Sequence, residues 1–160
     1  MTDQDQLAIY LNDHFAAATA GVELVRRAAE QHDGQRGREM ARLADDIAAD
    51  REALREIMRR LGVEESPVKA AAGWVGEKVG RLKPNGHLVS RAPLADVLEL
   101  EGLRAGTAAR IAGFQVLRAV AVKDTRLTKT EIEHLIERAE DQSQRLYTIH
   151  LQLAQENLAG

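Results

Sequence analysis

The chain has 160 residues, 44% hydrophobic and 29% charged, proportions that fit one globular domain and exclude a disordered tail. A net charge of −3 exerts no global pull on nucleic acid, and the few aromatic residues (Tyr10, Phe15, Trp74, Phe114, Tyr147) form no basic, base-stacking cluster. The absence of cysteine removes disulfides, thiolate metal sites, Fe–S clusters and cysteine nucleophiles together.

The opening residues Met-Thr-Asp-Gln-Asp-Gln are acidic and polar, the opposite of a secretory leader. No uncharged apolar run is long enough to cross a bilayer, so a cytoplasmic protein is expected. The first long helix is expected from about Asp3 to His32, capped by Thr2 or Asp3 and stopped by Asp33-Gly34. Its apolar stripe is Leu7, Leu11, His14, Ala18, Val22 and Val25. A second helix starts near Gln35 to Arg38 and ends at Leu61, before Gly62, with the stripe Leu43, Ile47, Asp50, Leu54, Ile57 and Leu61. So short a connection makes the two an antiparallel hairpin.

Ser66-Pro67 opens a shorter helix to about Leu82, because serine caps and proline loses no needed N–H at the first helical position. Lys83-Pro84-Asn85-Gly86 ends it. A third long helix is expected from Pro93 to Val122, on the stripe Leu94, Leu98, Glu101, Ala105, Ala108 and Ala112. Thr128-x-x-Glu131 reads as a capping box opening the last helix, whose stripe is Ile132, Leu135, Ala139, Gln142, Leu146, Ile149 and Leu153. The turn from Lys123 to Leu127 makes these two a second hairpin. The whole is expected to be a single all-α domain over 1–160: a four-helix bundle of two antiparallel hairpins joined by a long crossover, about 62–93, that contains a short fifth helix.

Each long stripe carries one polar residue: His14, Asp50, Glu101 and Gln142. Burying such a group bare costs roughly 2–7 kcal/mol, so each must be paired, hydrated or metal-bound. A set of ion pairs fixing helix register, with the acids matched to Arg104, Arg110 or His14, is the favoured expectation. Glycines form a second pattern. Gly73, Gly76 and Gly80 on the short helix and Gly102, Gly106 and Gly113 on the third long one cost about 1 kcal/mol each against alanine. Such faces predict close backbone packing, either between those two helices or between two copies in a homodimer.

The order hairpin, crossover, hairpin is similar to the ferritin-like superfamily over the whole chain. The segments LNDHFAAATAGVELVRRAA, SPVKAAAGWVGEKVGRLKPNG and ERAEDQSQRL resemble an uncharacterised bacterial family of ferritin-like helical proteins. That resemblance implies a fold without specifying an activity. Di-iron members of the superfamily use one Glu from each of two helices and a Glu-x-x-His pair from each of the other two. Here that pair occurs once, as Glu131-x-x-His134, in the first turn of its helix, and the second helix has Asp45, Asp46 and Asp50 but no histidine.

The resulting expectation is a non-catalytic structural or protein-interaction module with a degenerate metal site and no cofactor. The alternative is a carboxylate site for iron or manganese, of oxidase or storage type, drawing on Asp13, His14, Asp46, Asp50, Glu101 and Glu140. A third reading rests on residues 67–93, where Lys69, Lys78, Arg81, Lys83 and Arg91 outnumber Glu77 beside the apolar Val68, Val75, Val79 and Leu82 and Trp74. A basic amphipathic helix over 67–82 would suit a membrane surface or an acidic partner.

Overall fold

The computed structural model describes residues 3–66 and 93–159. Four helices account for most of them: α1 (Asp3–Glu30), α2 (Gly34–Arg60), α3 (Pro93–Val120) and α4 (Lys129–Leu158). No strand occurs among the described residues. The helix expected over 67–82, with Gly73, Gly76 and Gly80, lies outside them, as does the reading of that helix as a membrane or partner surface. No described helix is long and apolar enough to cross a membrane.

The helices are each about 40–45 Å long and pack as an all-α bundle. The hairpin partners α1 and α2 pack together, as do α3 and α4, while α1 also meets α3 and α2 meets α4. The other two pairings are diagonal across the bundle. One apolar cluster gathers Leu11 and Phe15 of α1 with Ile57 and Leu61 at the end of α2, Phe114 and Leu117 of α3 and Ile132 of α4. The other joins Val25 and Ala28 of α1 to Met40 and Leu43 at the start of α2, Val97 and Leu100 of α3 and Leu153 of α4. Helix α2 therefore finishes at the end of the bundle where α4 begins, and α3 begins at the opposite end.

Local chemistry sets the turns. After α2, Gly62 has φ +70° and forms a Schellman close: its N–H bonds to Arg59 O at 3.1 Å, and Val63 N–H to Met58 O at 2.9 Å. Val63 and Met58 both enter the adjoining apolar cluster. Asn12 of α1 then holds the departing chain, its amide donating to Glu64 O at 3.0 Å and its oxygen accepting from Ser66 N–H at 2.7 Å. Between α1 and α2, Gly34 has φ +67°, and buried Gly37 lets the two backbones touch. A Cβ at Gly37 would stand 1.9 Å from His32 O.

The stripes of α2 and α4 are buried as expected throughout, and those of α1 nearly so. That of α3 is not. Leu94, Glu101, Ala105, Ala108 and Ala112 are exposed, and the helix instead buries Val97, Leu100, Leu103, Thr107, Arg110, Gly113, Phe114 and Leu117. Both sets have helical spacing, but the second carries far more apolar area, and burial free energy scales with that area. The bulky set wins even though an arginine is part of it.

One further expectation is corrected. Thr128 occupies the N-cap of α4 without a side-chain cap bond, so the capping box is not formed. Glu131 turns instead to Arg60 of α2, 2.7 Å away. Among the described residues a Cβ on Gly102 or Gly106 would find nothing within 4 Å, so the face they form is open on the outside of α3. Gly113 alone of that face is tightly packed, against the His14 ring.

Candidate functional site

Halfway along the bundle the two apolar clusters are separated by a polar layer. Helix α2 contributes Asp50, between Ile47 and Leu54, and α4 contributes Gln142, between Ala139 and Leu146. Helix α3 brings Arg110 and Thr107, and α1 brings His14. Asp50 and Gln142 are buried completely, Arg110 almost so.

Gln142 is the hinge of the arrangement. Its Nε2 donates to Asp50 Oδ2 at 2.8 Å, and its Oε1 accepts from Arg110 at 2.5 Å. One amide thus satisfies an acid and a base at once, as only a group with both donor and acceptor can. The Arg110 Nε stands 4.0 Å from Asp50 Oδ2 and has no hydrogen-bond partner among the described residues. From the other side Arg138 of α4, half in solvent, approaches Asp50 Oδ1 to 2.8 Å, at ion-pair distance but out of hydrogen-bond alignment. A single buried carboxylate therefore faces two guanidinium groups.

Burial raises the Asp50 pKa, opposed by the Gln142 bond and by Arg138 and Arg110. Burial lowers that of Arg110, opposed by Asp50. Each charge costs the interior something, and each relieves the other. Thr107 sends its hydroxyl proton to Leu103 O, a bond within its own helix at 2.9 Å.

His14 is half-buried, tilted on the Tyr10 ring at 4.5 Å and pressed against Gly113, where an added Cβ would lie 2.8 Å from its Nδ1. Burial lowers its pKa, against a smaller upward pull from Asp13. Glu101 does not join the layer. It sits on the surface about two and a half turns from Arg110, 3.5 Å from the Nε2 of His150. Arg104 donates to the Nδ1 of that histidine at 2.8 Å, which leaves the ring proton on Nε2, facing the carboxylate.

Of the four polar residues picked from the stripes, the structure joins Asp50 to Gln142, places His14 in the same layer and removes Glu101. Arg110, expected as one of the internal partners of the acids but not as a member of a buried stripe, is the cation the structure brings to Asp50 and Gln142. Its signal was present: Leu103, Thr107, Arg110, Phe114 and Leu117 are spaced by three and four, and two of the largest apolar side chains of α3 flank the arginine.

Beyond the layer, long polar side chains stitch α2 to α4. Arg36 pairs with Glu156 at 2.5 Å, Arg145 with Glu39 and Asp46 at 2.6 Å each, and Arg60 with Glu131. A surface cleft of about 300 Å³ opens in that seam between Asp46, Glu137, Arg138, Asp141 and Gln142.

The layer fits a carboxylate-bridged iron or manganese centre poorly. Among the described residues no three His, Asp or Glu side chains converge to hold a metal ion. Asp50, the one acid in the layer, is already engaged by an amide and two cations. Glu131 and His134 lie about two to three turns from Gln142, the former paired to Arg60 and the latter exposed beside Glu137. What this constellation does chemically is neutralise and orient. It provides no activated nucleophile and no open ligand position.

Comparison with known proteins found no match to any family model, to any curated protein or to any solved structure.

Proposed function

We propose that this protein is a non-catalytic helical scaffold of ferritin-like build, in which a guanidinium occupies the layer where the di-iron members hold their metal ions. The observation that carries this reading is Arg110, buried at mid-bundle and bonded to Gln142, with Asp50 at 4.0 Å. A fixed positive charge there does for Asp50 what a bound cation does for bridging carboxylates, and it discourages a second cation from entering. The chain direction supports the same build: α2 and α3 run parallel, α2 finishing at one end of the bundle and α3 beginning at the other, as two hairpins of a crossover bundle do.

A scaffold works through its surface, and α3 offers one. Leu94 and Val116 are 49% and 41% exposed, and Gly102, Ala105, Gly106, Ala109 and Ala112 lie between them on the outside of the helix. A flat face of small and apolar side chains suits pairing with a second copy of the chain, and a homodimer is the assembly we assign to it.

Metal analysis of tag-free protein tests the scaffold reading. Iron and manganese are expected well below one equivalent per chain, with no change on Asp50→Ala. Stoichiometric metal that is lost in Asp50→Ala would overturn it and restore the carboxylate-metal alternative.

A further inference from the structure

Arg110 has a second face. Between α1 and α3 lies a recess of about 40 Å³, with Ala17 and Gly21 on one wall and Gly106 and Ala109 on the other. Its only charged lining residue is Arg110, accompanied by His14 and Thr107. By its volume it has room for a few water molecules, and so for a small anion. We propose that this recess binds a small monovalent anion, with the Arg110 guanidinium as its cationic floor.

Three observations support it. First, the Arg110 side chain is 9% exposed and lines the recess, and among the described residues its guanidinium donates only to Gln142, its Nε being buried toward Asp50 without a bond. Arginine does not lose its proton in a protein, so an under-coordinated guanidinium retains its full charge and its demand for acceptors.

Second, its counter-charge is shared. Asp50 stands behind Arg110 at 4.0 Å, while Arg138 holds the other carboxylate oxygen at 2.8 Å. The remaining acceptor on Arg110 is the neutral amide of Gln142. Because Asp50 is shared with Arg138, the charge of the more deeply buried Arg110 is only partly answered, and a low-dielectric wall makes that felt over a few ångströms. An anion in the recess would complete the balance from the side opposite Arg138.

Third, the recess is shaped for a small guest and has a donor at its mouth. Glycine and alanine walls leave the gap between the helices open, and no acidic side chain lines it. The His14 ring makes no hydrogen bond among the described residues, and its one N–H in the neutral form is available to an acceptor. Thr107 has committed its proton to Leu103 O and serves as wall. A divalent or bulky anion fits neither the volume nor the one guanidinium that lines it.

This inference does not depend on the scaffold reading, since an anion can sit beside Arg110 whatever the protein does. Bromide is the probe, because exchange onto a protein site broadens its quadrupolar resonance. Titrations use full-length protein in sodium gluconate at constant ionic strength, gluconate being too large for the recess. The expected result is saturable broadening by wild type that formate, another small anion, reverses.

Ala17→Leu places a side chain in the recess while leaving the buried layer intact, and it should abolish the excess broadening. Arg110→Gln should do the same. Bromide at about ten times its dissociation constant should also shift the wild-type folding equilibrium about tenfold toward the native state, and leave Ala17→Leu unmoved. Broadening by Ala17→Leu equal to wild type, or broadening insensitive to formate, overturns the site. Should Arg110→Gln fail to fold, the Ala17→Leu comparison still decides.

Discussion

Asp50 and Arg110 show how differently a buried ion pair responds to losing one partner and to losing both. With Asp50→Ala, Arg110 keeps its charge inside the bundle and loses its nearest carboxylate, a change that costs about 3–5 kcal/mol. Replacing only Asp50 and Arg110 by apolar residues would strand the Gln142 amide, at about 1–3 kcal/mol. The informative variant is therefore the triple one, Asp50→Leu, Arg110→Met and Gln142→Met, which removes the whole relay at similar volume. It should come within about 1 kcal/mol of wild type, or exceed it. Urea denaturation of the single and triple variants checks both statements. A triple variant less stable than Asp50→Ala would mean that the relay stabilises the bundle outright rather than fixing its register. This chemistry was half legible in the sequence. Asp50 and Gln142 announce themselves as polar interruptions of otherwise unbroken Leu and Ile stripes. Arg110 does not, because a long cationic side chain is ordinarily placed at the surface with its charge in water.

Among the helices, α3 was the hard one to orient, and the reason is compositional. Helices α2 and α4 concentrate bulky apolar residues on one side and charges on the other, so one face alone can be buried. Helix α3 is apolar nearly all round, because Ala105, Ala108, Ala109 and Ala112 fill the side that charges would otherwise mark. Position on a helix then has to be settled by side-chain volume rather than polarity, and Phe114 and Leu117 settle it. The glycines divide on the same physical ground. Gly37 has no space for a methyl group, since its Cβ would lie 1.9 Å from His32 O, and a backbone carbonyl cannot swing aside. Gly37→Ala must push the end of α1 away from the start of α2, at about 1–3 kcal/mol by analogy with overpacked cores. Gly106 is exposed in mid-helix with nothing near, so Gly106→Ala should stabilise by about 1 kcal/mol through helix propensity alone. Opposite shifts in thermal midpoint for the two alanine variants are the expected outcome, and shifts of the same sign would refute the division. Spacing within the sequence gives no hint of this contrast, because the carbonyl that excludes a side chain at Gly37 becomes its neighbour only once the hairpin has closed.

Taken whole, the bundle has two unlike cross-hairpin seams. Helices α2 and α4 are bridged by Arg36–Glu156, Arg145–Glu39, Arg145–Asp46, Asp50–Gln142 and Arg60–Glu131, pairs whose partners come mostly from the half-exposed rim. Pairs of that kind contribute roughly 0–1 kcal/mol each, so they align the two hairpins more than they hold them together. Cohesion comes from the apolar clusters at the two ends, where each helix contributes large buried side chains. The α1–α3 side is different again, lined by alanine and glycine and continuous with the exposed face of α3. An isolated chain would present that face to water from Leu94 to Val116, and pairing two copies about a twofold axis would cover it, with Glu101 on the same face turned to His150. Val116 lies where Val116→Glu would place two carboxylates close together across such an interface, while in a monomer the change falls on an already exposed position. Light scattering should give the mass of two chains for wild type and of one chain for Val116→Glu, with helical content unchanged by circular dichroism. A wild-type mass of one chain would reject α3 as a self-association face, and a dimer that persists in Val116→Glu would move the contact to another surface.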